Sequence, residues 1–179
     1  GRLFTYVAAF GLFTDVSYST PQLNKNLLGH FAYVLEGAGK LGNIPSYHMT
    51  VSTPDGPEAE GDFIYGMVGN TVSVGGLVNL PRDKVLLDDG QFEVILIRRP
   101  ESGKDWQSIL TALTNLELVE GGAVTGFSAG EVTFTCTQPV AWTVDGEFGG
   151  EQEVTTVKNL PRALTIACGG SAEHPGAGD

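Results

Sequence analysis

Alternation of apolar and polar residues with a period of two is the feature that most constrains the fold of this 179-residue chain. Successive side chains of a β-strand point to opposite faces, so this period is typical of strands that bury one face. Turns rich in Gly, Pro, Asp and Asn bound the alternating segments. These segments are residues 3–10, 46–53, 62–70, 92–98, 123–128, 131–136, 140–144, 152–157 and 163–168.

Two other segments have helical periodicity. A Thr-Pro pair followed by apolar residues every three to four positions predicts a helix over residues 20–37. A second helix is predicted over residues 105–116, where Ser102 and Asp105 resemble a capping box. Because the β-α-β rhythm is missing, the chain is not a complete nucleotide-binding α/β domain. The pattern predicts a mainly β fold, an antiparallel β-sandwich with one or two packed helices.

Chain length and composition fit one globular domain. The chain is 41% hydrophobic and contains 25 glycines, which is typical of a turn-rich protein with a real core. The longest apolar run, residues 92–97, is far too short to cross a bilayer. Residues 1–168 are expected to form the domain, and the Gly-rich residues 169–179 are expected to form a flexible tail. Since the chain starts without Met in strand-like sequence, we expect it to be part of a longer protein.

Charge and cysteine content exclude several classes of protein. Ten basic and twenty-one acidic residues give a net charge of -11, which argues against binding nucleic acid through its phosphates. It also argues against a polybasic membrane patch. Cys136 and Cys168 lack the spacing of a metal site, so both are expected to be buried free thiols, although a disulfide between them stays open.

Two acidic turns adjoin strong strands. Asp145-Gly146-Glu147 follows one strand and places the Glu147 carboxylate on a turn held by the sheet. Glycines at 149–150 are expected to let the backbone come close to another group. The second acidic turn, residues 86–91, precedes the predicted strand 92–98. Taken alone, each turn is either a solvated acidic hairpin or a catalytic or metal-binding loop.

A Gly-x-Ser-x-Gly motif at residues 126–130 has the spelling of a hydrolase nucleophile elbow. That elbow requires its serine at a strand-to-helix turn. Here another strand is predicted to follow, so Ser128 is expected to be a hairpin residue.

The acidic turns also belong to a longer, ordered set of motifs. The set comprises residues 6–15, 20–22, 25–29, 32–33, 61–66, 70, 73–76, 87–90 and 142–147. Each motif is short, but their order over about residues 3–167 resembles the carboxy-terminal domain of the bacterial diacylglycerol kinase and lipid kinase family. Sphingosine and ceramide kinases are relatives of that family.

The resemblance implies a two-domain enzyme that transfers the γ-phosphoryl group of ATP to a lipid hydroxyl, giving phosphatidic acid from diacylglycerol. The amino-terminal domain of such enzymes binds ATP with a Gly-Gly-Asp-Gly-Thr loop, which this chain lacks. The chain is therefore expected to be the lipid-substrate half, inactive by itself. The expected location is the cytoplasm, peripheral to the inner face of the membrane. The expected partners are the lipid, the protein's own amino-terminal domain and a second copy, without nucleic acid.

The resemblance also implies roles for individual residues. Glu147 matches the family's catalytic carboxylate, which faces the ATP site and either accepts the hydroxyl proton or orients a magnesium ion. Leu86, Asp89 and Gln91 match the family's structural Mg²⁺ position, with main-chain carbonyls from Leu86 and Gln91 and a carboxylate from Asp89. The expected cofactors are Mg²⁺ and ATP, the latter bound mainly by the other domain. The alternative function is a non-catalytic β-sandwich module for binding or interaction.

Overall fold

The computed structural model describes residues 1–12, 44–71, 73–74, 78–79, 88–115 and 122–165. These ranges are mainly β, as predicted, and they contain one of the two predicted helices. The elements are β1 (Val7–Gly11), β2 (Tyr47–Thr53), β3 (Gly56–Gly69), β4 (Ser73–Val74), β5 (Val78–Asn79), β6 (Phe92–Arg98), α1 (Gly103–Asn115), β7 (Val124–Ala129), β8 (Glu131–Val144) and β9 (Glu147–Lys158).

Seven of these strands form one antiparallel sheet that closes on itself. The strand order is β1-β8-β2-β3-β6-β7, and β1 also pairs with β3. The strands β1, β8, β2 and β3 therefore make a small closed barrel, while β9 extends the sheet from β8 and β6 and β7 extend it from β3. Strands β4 and β5 pair separately. The antiparallel, sandwich-like prediction is confirmed, with closure as an added feature.

The length of β3 and β8 makes the closure possible. The first half of β3 pairs with β2, and its second half pairs with β1. Likewise β8 pairs with β2 through residues 133–136 and with β1 through residues 142–144. Each of these two long strands thus pairs with β2 through one part of its length and with β1 through another. The predicted segments 131–136 and 140–144 are one strand, with an irregular register against β9 between Thr135 and Val140.

Apolar side chains fill both faces of the central strands. Inside the barrel, the rings of Phe10, Phe134 and Trp142 meet edge to face, with centroids 5.0–5.9 Å apart. Outside it, Trp106 and Ile109 of α1 cover the opposite face of the sheet. Strand β6 lies between the two cores, so four of its residues in a row are buried.

The cap of α1 matches its prediction. The Ser102 hydroxyl accepts the backbone N–H of Asp105 at 3.3 Å, and the Asp105 carboxylate accepts the N–H of Ser102 at 2.8 Å. This reciprocal pair satisfies donors that a helix start leaves without partners. The helix begins at Gly103 and ends at Asn115. None of the helices in the described ranges is long and apolar enough to cross a membrane.

Several predicted boundaries differ from the structure. Strand β1 begins at Val7 rather than residue 3, because the amides before it bond to a side chain instead of a neighbouring strand. Residues 163–165 of the predicted last strand are not in a strand. The predicted helix 20–37, the tail 169–179 and Cys168 lie outside the described residues. Within the described residues, Cys136 is a buried free thiol.

Candidate functional site

A two-residue turn joins β8 to β9. Asp145 and Gly146 both have positive φ, 49° and 87°, and the flanking residues Val144 and Glu147 pair with each other. Positive φ at both central residues is the type I′ geometry that matches the twist of a hairpin. The predicted Asp-Gly turn is therefore confirmed. The side chain of Glu147 is exposed beside it.

The glycines after the turn serve the hairpin itself. The β8–β9 register shifts between Trp142 and Thr143, which leaves Gly149 as an extra residue on β9. A Cβ on Gly149 would lie 2.7 Å from the Val144 side chain and 3.0 Å from the Trp142 carbonyl oxygen. The expected close approach of the backbone thus exists at Gly149, and its partner is strand β8.

Asp145 ties the turn to the chain segment that enters β1. Its Oδ1 accepts the backbone N–H groups of Tyr6 (3.0 Å) and Val7 (2.9 Å). Its Oδ2 accepts the N–H and the hydroxyl of Thr5, at 2.9 and 3.3 Å. The N–H of Asp145 in turn donates to the Val7 carbonyl at 2.8 Å. We call these five hydrogen bonds the Asp145 clamp.

The clamp determines the ionisation of its carboxylate. Desolvation opposes the charged form, but the backbone bonds from Thr5, Val7 and Tyr6 and the Thr5 hydroxyl outweigh it, so the pKa of Asp145 is lowered. Sequence reasoning treated this residue only as a turn former. The Asp-Gly pair signalled the turn, but no local pattern could name donors about 140 positions earlier.

A second contact holds the other side of the Glu147 turn. The Arg2 guanidinium donates to the carbonyl oxygen of Phe148, the residue after Glu147. Three large apolar side chains lie exposed in the same two segments: Leu3 (85%), Tyr6 (41%) and Phe148 (51%). Glu147 therefore stands on a turn anchored from both sides and flanked by apolar surface.

The second candidate turn is described from residue 88 onward. Asp89 Oδ1 accepts the backbone N–H of Gln91 at 2.9 Å, which closes a local turn through the side chain. Gly90 has φ 81°, and the side chain of Asn159 donates to the Gln91 carbonyl at 3.2 Å. The segment after β9 thus supports this turn from outside.

The oxygen atoms of this turn are of the chemical type that binds a hard cation. Asp89 Oδ2 and the Gln91 carbonyl are oxygen ligands of the kind Mg²⁺ prefers, with water completing its shell. Leu86 lies outside the described residues. In the ranges the structure covers, no group of three or more His, Cys, Asp or Glu side chains could hold a metal. The Mg²⁺ position therefore stays a prediction resting on one carboxylate and main-chain carbonyls.

A further carboxylate follows the second turn. The pKa of Glu93 is raised, mainly because the carboxyl is partly buried. The Ser128 hydroxyl donates a hydrogen bond to it at 2.9 Å and offsets part of this rise, whereas the negative charge of Asp89 adds to it. Ser128 lies in β7, three positions before β8 begins at Glu131. The prediction that this serine is a hairpin residue, and not a nucleophile, agrees with that position.

The sheet brings both turns to the same end of the molecule. Val144 pairs with Ala8, Ala8 pairs with Val68, and Val68 pairs with Val94. The end of β8 and the start of β6 are therefore three strand spacings apart, roughly 14 Å along the sheet. Glu147 and Asp89 share an end of the sheet without being neighbours.

Comparison with known proteins identifies the family of this chain. Residues 9–168 match the family model of the YegS C-terminal NAD kinase beta sandwich-like domain. Diacylglycerol kinase of Staphylococcus carnosus (strain TM300) is 29% identical over 150 residues, covering 84% of this chain and 48% of the relative. That of Staphylococcus haemolyticus (strain JCSC1435) is 29% identical over 165 residues, covering 92% and 49%.

A solved structure gives the same result for the fold. The crystal structure of a candidate diacylglycerol kinase from Bacillus anthracis (strain Sterne) superposes with a TM-score of 0.61 at 18% identity, covering 88% of this chain and 51% of that protein. The chain spans about half the length of the curated relatives it matches. Because the family model covers most of its residues, the chain belongs to the YegS C-terminal family, the carboxy-terminal β-sandwich-like domain of diacylglycerol kinase-like lipid kinases.

Proposed function

We propose that this chain is the lipid-substrate half of an ATP-dependent lipid kinase and that Glu147 is its catalytic residue. The observation that carries the proposal is the exposed Glu147 carboxylate on an anchored turn, in a domain of this family. A carboxylate held by a rigid sheet and open to solvent can meet a substrate without reorganising. The diacylglycerol kinase relatives make diacylglycerol the first acceptor to test.

The reaction is phosphoryl transfer from ATP to the lipid hydroxyl. The hydroxyl oxygen forms a bond to the γ-phosphorus as the bond from that phosphorus to the β–γ bridging oxygen breaks, and ADP leaves. Glu147 accepts the hydroxyl proton. The product from diacylglycerol is phosphatidic acid. Such transfer depends mostly on positioning and on neutralising charge, so one well-placed base is sufficient.

Binding of ATP belongs to a preceding domain in this proposal. The Gly-Gly-Asp-Gly-Thr loop is absent from the chain, and its net charge of -11 does not favour a triphosphate. Magnesium would supply charge neutralisation for the phosphates when bound. Asp89, with carbonyls of Gln91 and Leu86, would hold a separate structural ion that fixes the turn before β6.

The surroundings of Glu147 fit an apolar acceptor at a membrane surface. Phe148 follows Glu147 directly and is half exposed, and Leu3 and Tyr6 are exposed on the segment joined to the turn by Arg2 and the clamp. This apolar surface supports a lipid acceptor over a small polar one. We therefore propose that the enzyme works in the cytoplasm at the inner face of the membrane.

The test compares the longer protein that we propose with the 179-residue chain. Each is incubated with radiolabelled ATP, Mg²⁺ and mixed micelles containing diacylglycerol, sphingosine or ceramide, and labelled lipid is counted. We expect the longer protein to phosphorylate one of these lipids and the chain alone to be inactive. A longer protein inactive on all three would contradict the proposal and favour a non-catalytic binding module. Phosphorylation by the chain alone would contradict the assignment of ATP to another domain.

A further inference from the structure

The Asp145 clamp is an unusual use of a turn carboxylate. An aspartate in a two-residue hairpin turn normally points to water or bonds its own neighbours. Here both oxygens are used, each by two donors, all from residues 5–7 at a separation of 138–140 positions. Three consecutive backbone amides converge on one carboxylate, a geometry that fixes both partners.

Beyond the β8–β9 strand pairing, the clamp and Arg2, the described residues give the tip of this turn no further support. A Cβ on Gly146 would have nothing within 4 Å, so the tip of the hairpin is surrounded by open space. Only Gly146 separates Asp145 from Glu147, and Arg2 holds the carbonyl of Phe148 on the far side. Both anchors of the turn therefore come from residues 2–7.

We propose that Asp145 is a positioning residue for the lipid kinase reaction: through its bonds to the amides of residues 5–7 it holds the turn that carries Glu147 in a reactive position. The inference rests on the proposed function of Glu147. Displacing a catalytic group by about 1 Å can cost on the order of 10²-fold in rate, so the clamp matters to turnover even though it never touches substrate.

The same contacts argue against Asp145 as a second base or a metal ligand. Each of its oxygens already accepts two hydrogen bonds, and a proton or metal would displace them. Its lowered pKa makes it a weaker base than an ordinary aspartate. Its role is therefore exerted through the turn.

The first test is Asp145→Asn in the longer enzyme. Asn tolerates positive φ, so the backbone of the turn is preserved while the charge and half of the acceptor capacity are lost. We expect kcat to fall about 10- to 100-fold, with KM for lipid and ATP within about threefold. Asp55→Asn is the matched control, because Asp55 precedes Gly56 in the exposed β2–β3 turn and should keep normal kinetics. A normal kcat in Asp145→Asn would overturn the inference.

A double variant separates positioning from general damage. If Asp145 acts only through Glu147, then Asp145→Asn added to Glu147→Gln should lower the rate no further than Glu147→Gln alone. Multiplying losses in the double variant would overturn the inference. If Asp145→Asn fails to fold, Arg2→Ala is tested instead, because it removes the second, exposed anchor of the turn. A several-fold loss of kcat that disappears when Glu147→Gln is also present supports the inference. A normal kcat in Arg2→Ala contradicts it.

Wild-type activity keeps the two proposals apart. An inactive wild-type longer protein refutes the proposed function itself. An active wild type with unaffected Asp145→Asn refutes only the positioning role. In the 179-residue chain, amide NMR adds a direct readout: Asp145→Asn should shift and deprotect the amides of Thr5, Tyr6 and Val7, whereas Asp55→Asn should leave them unchanged. Unchanged amides in Asp145→Asn would also refute the clamp.

Discussion

Two Asp-Gly turns at one end of the sheet use the same residue pair in opposite ways. Asp145 precedes Gly146 and bonds residues about 140 positions away, whereas Asp89 precedes Gly90 and, among the described residues, accepts a hydrogen bond from Gln91, two positions on. The first carboxylate is occupied by the fold itself. The second keeps one oxygen that none of the described hydrogen bonds uses. The same Asp-Gly pair thus gives one carboxylate bonded to a distant segment and one bonded within its own turn.

The difference teaches where function can reside in such turns. In the β8–β9 hairpin the aspartate carboxylate accepts the hydrogen bonds of the clamp, so the exposed carboxylate outside the clamp is that of the next acidic residue, Glu147. In the turn before β6 the aspartate itself is the exposed group. The neighbouring chain segment determines the outcome, because it either does or does not place backbone N–H groups within hydrogen-bonding distance of the aspartate carboxylate. Mutations that exchange or remove the carboxylates should therefore have effects of different kinds at the two turns.

The largest effect is expected from Glu147→Gln, which keeps the shape of the side chain and removes its charge. Loss of a catalytic base typically lowers the rate 10²- to 10⁴-fold. The free energy of unfolding should change by less than about 0.5 kcal/mol, since the side chain is exposed. The measurement is kcat of the longer enzyme beside its melting temperature. Near-normal turnover in a folded variant would reduce Glu147 to an ordinary hairpin residue.

The next effect concerns the bulge at Gly149 in the β8–β9 hairpin. Gly149→Ala places a methyl group 2.7 Å from the Val144 side chain and 3.0 Å from a carbonyl oxygen of β8. Overpacking of this kind costs about 1–3 kcal/mol. Gly103→Ala is the matched control, because open space surrounds that position at the start of α1. Urea unfolding measures both; equal stabilities would mean that the bulge can relax.

Much of the fold could be predicted from the sequence because period and turn chemistry are local. Strand β6 and the cap of α1 occur where they were expected. Closure of the barrel could not be predicted, since it depends on long strands pairing with different partners at each end. The merging of two segments into β8 has the same cause.

The candidate site likewise has features that local sequence predicts and features that depend on distant parts of the chain. The Asp145-Gly146 turn and the exposure of Glu147 follow from local residue preferences, so sequence could predict them. The clamp could not be predicted, because its donors are main-chain amides of Thr5, Tyr6 and Val7, and any residue except proline carries such a donor. The bulge at Gly149 likewise needs the register of two strands.

A smaller effect on the free energy of unfolding is expected when Asp145 and Asp89 are each replaced by Asn. Asp145→Asn weakens bonds from three amides and should cost about 1 kcal/mol at neutral pH, reduced by solvent screening. Asp89→Asn affects one amide and should cost less. The pKa of Asp145 is lowered in the folded state, so its stabilising effect is present above the unfolded value of about 3.9 and is lost as pH falls through the folded value.

Urea unfolding at pH 7, 5, 4 and 3 tests this ordering. The difference between wild type and Asp145→Asn should be largest at pH 7 and shrink towards pH 3. Asp105, whose pKa is lowered by amide bonds from residue 101 and by Ser102, is common to both proteins and cancels in the difference. A difference that grows on acidification, or one smaller than that of Asp89→Asn at pH 7, would contradict the contrast between the two turns.

The smallest effect is expected from magnesium at the second turn. An ion bound by Asp89 Oδ2, two carbonyls and water stabilises the folded chain only by mass action, about 0.6 kcal/mol when its concentration is twice the Kd. For a chain of this size that corresponds to a rise of about 2 °C in Tm.

The measurement compares MgCl₂ with NaCl at equal ionic strength, in wild type, Asp89→Ala and the control Asp55→Ala. Wild type and the control should respond to Mg²⁺ and Asp89→Ala should not, because the carboxylate that holds the ion is gone. An equal rise in all three proteins would place any bound magnesium elsewhere, and the turn before β6 would then be held by its hydrogen bonds alone.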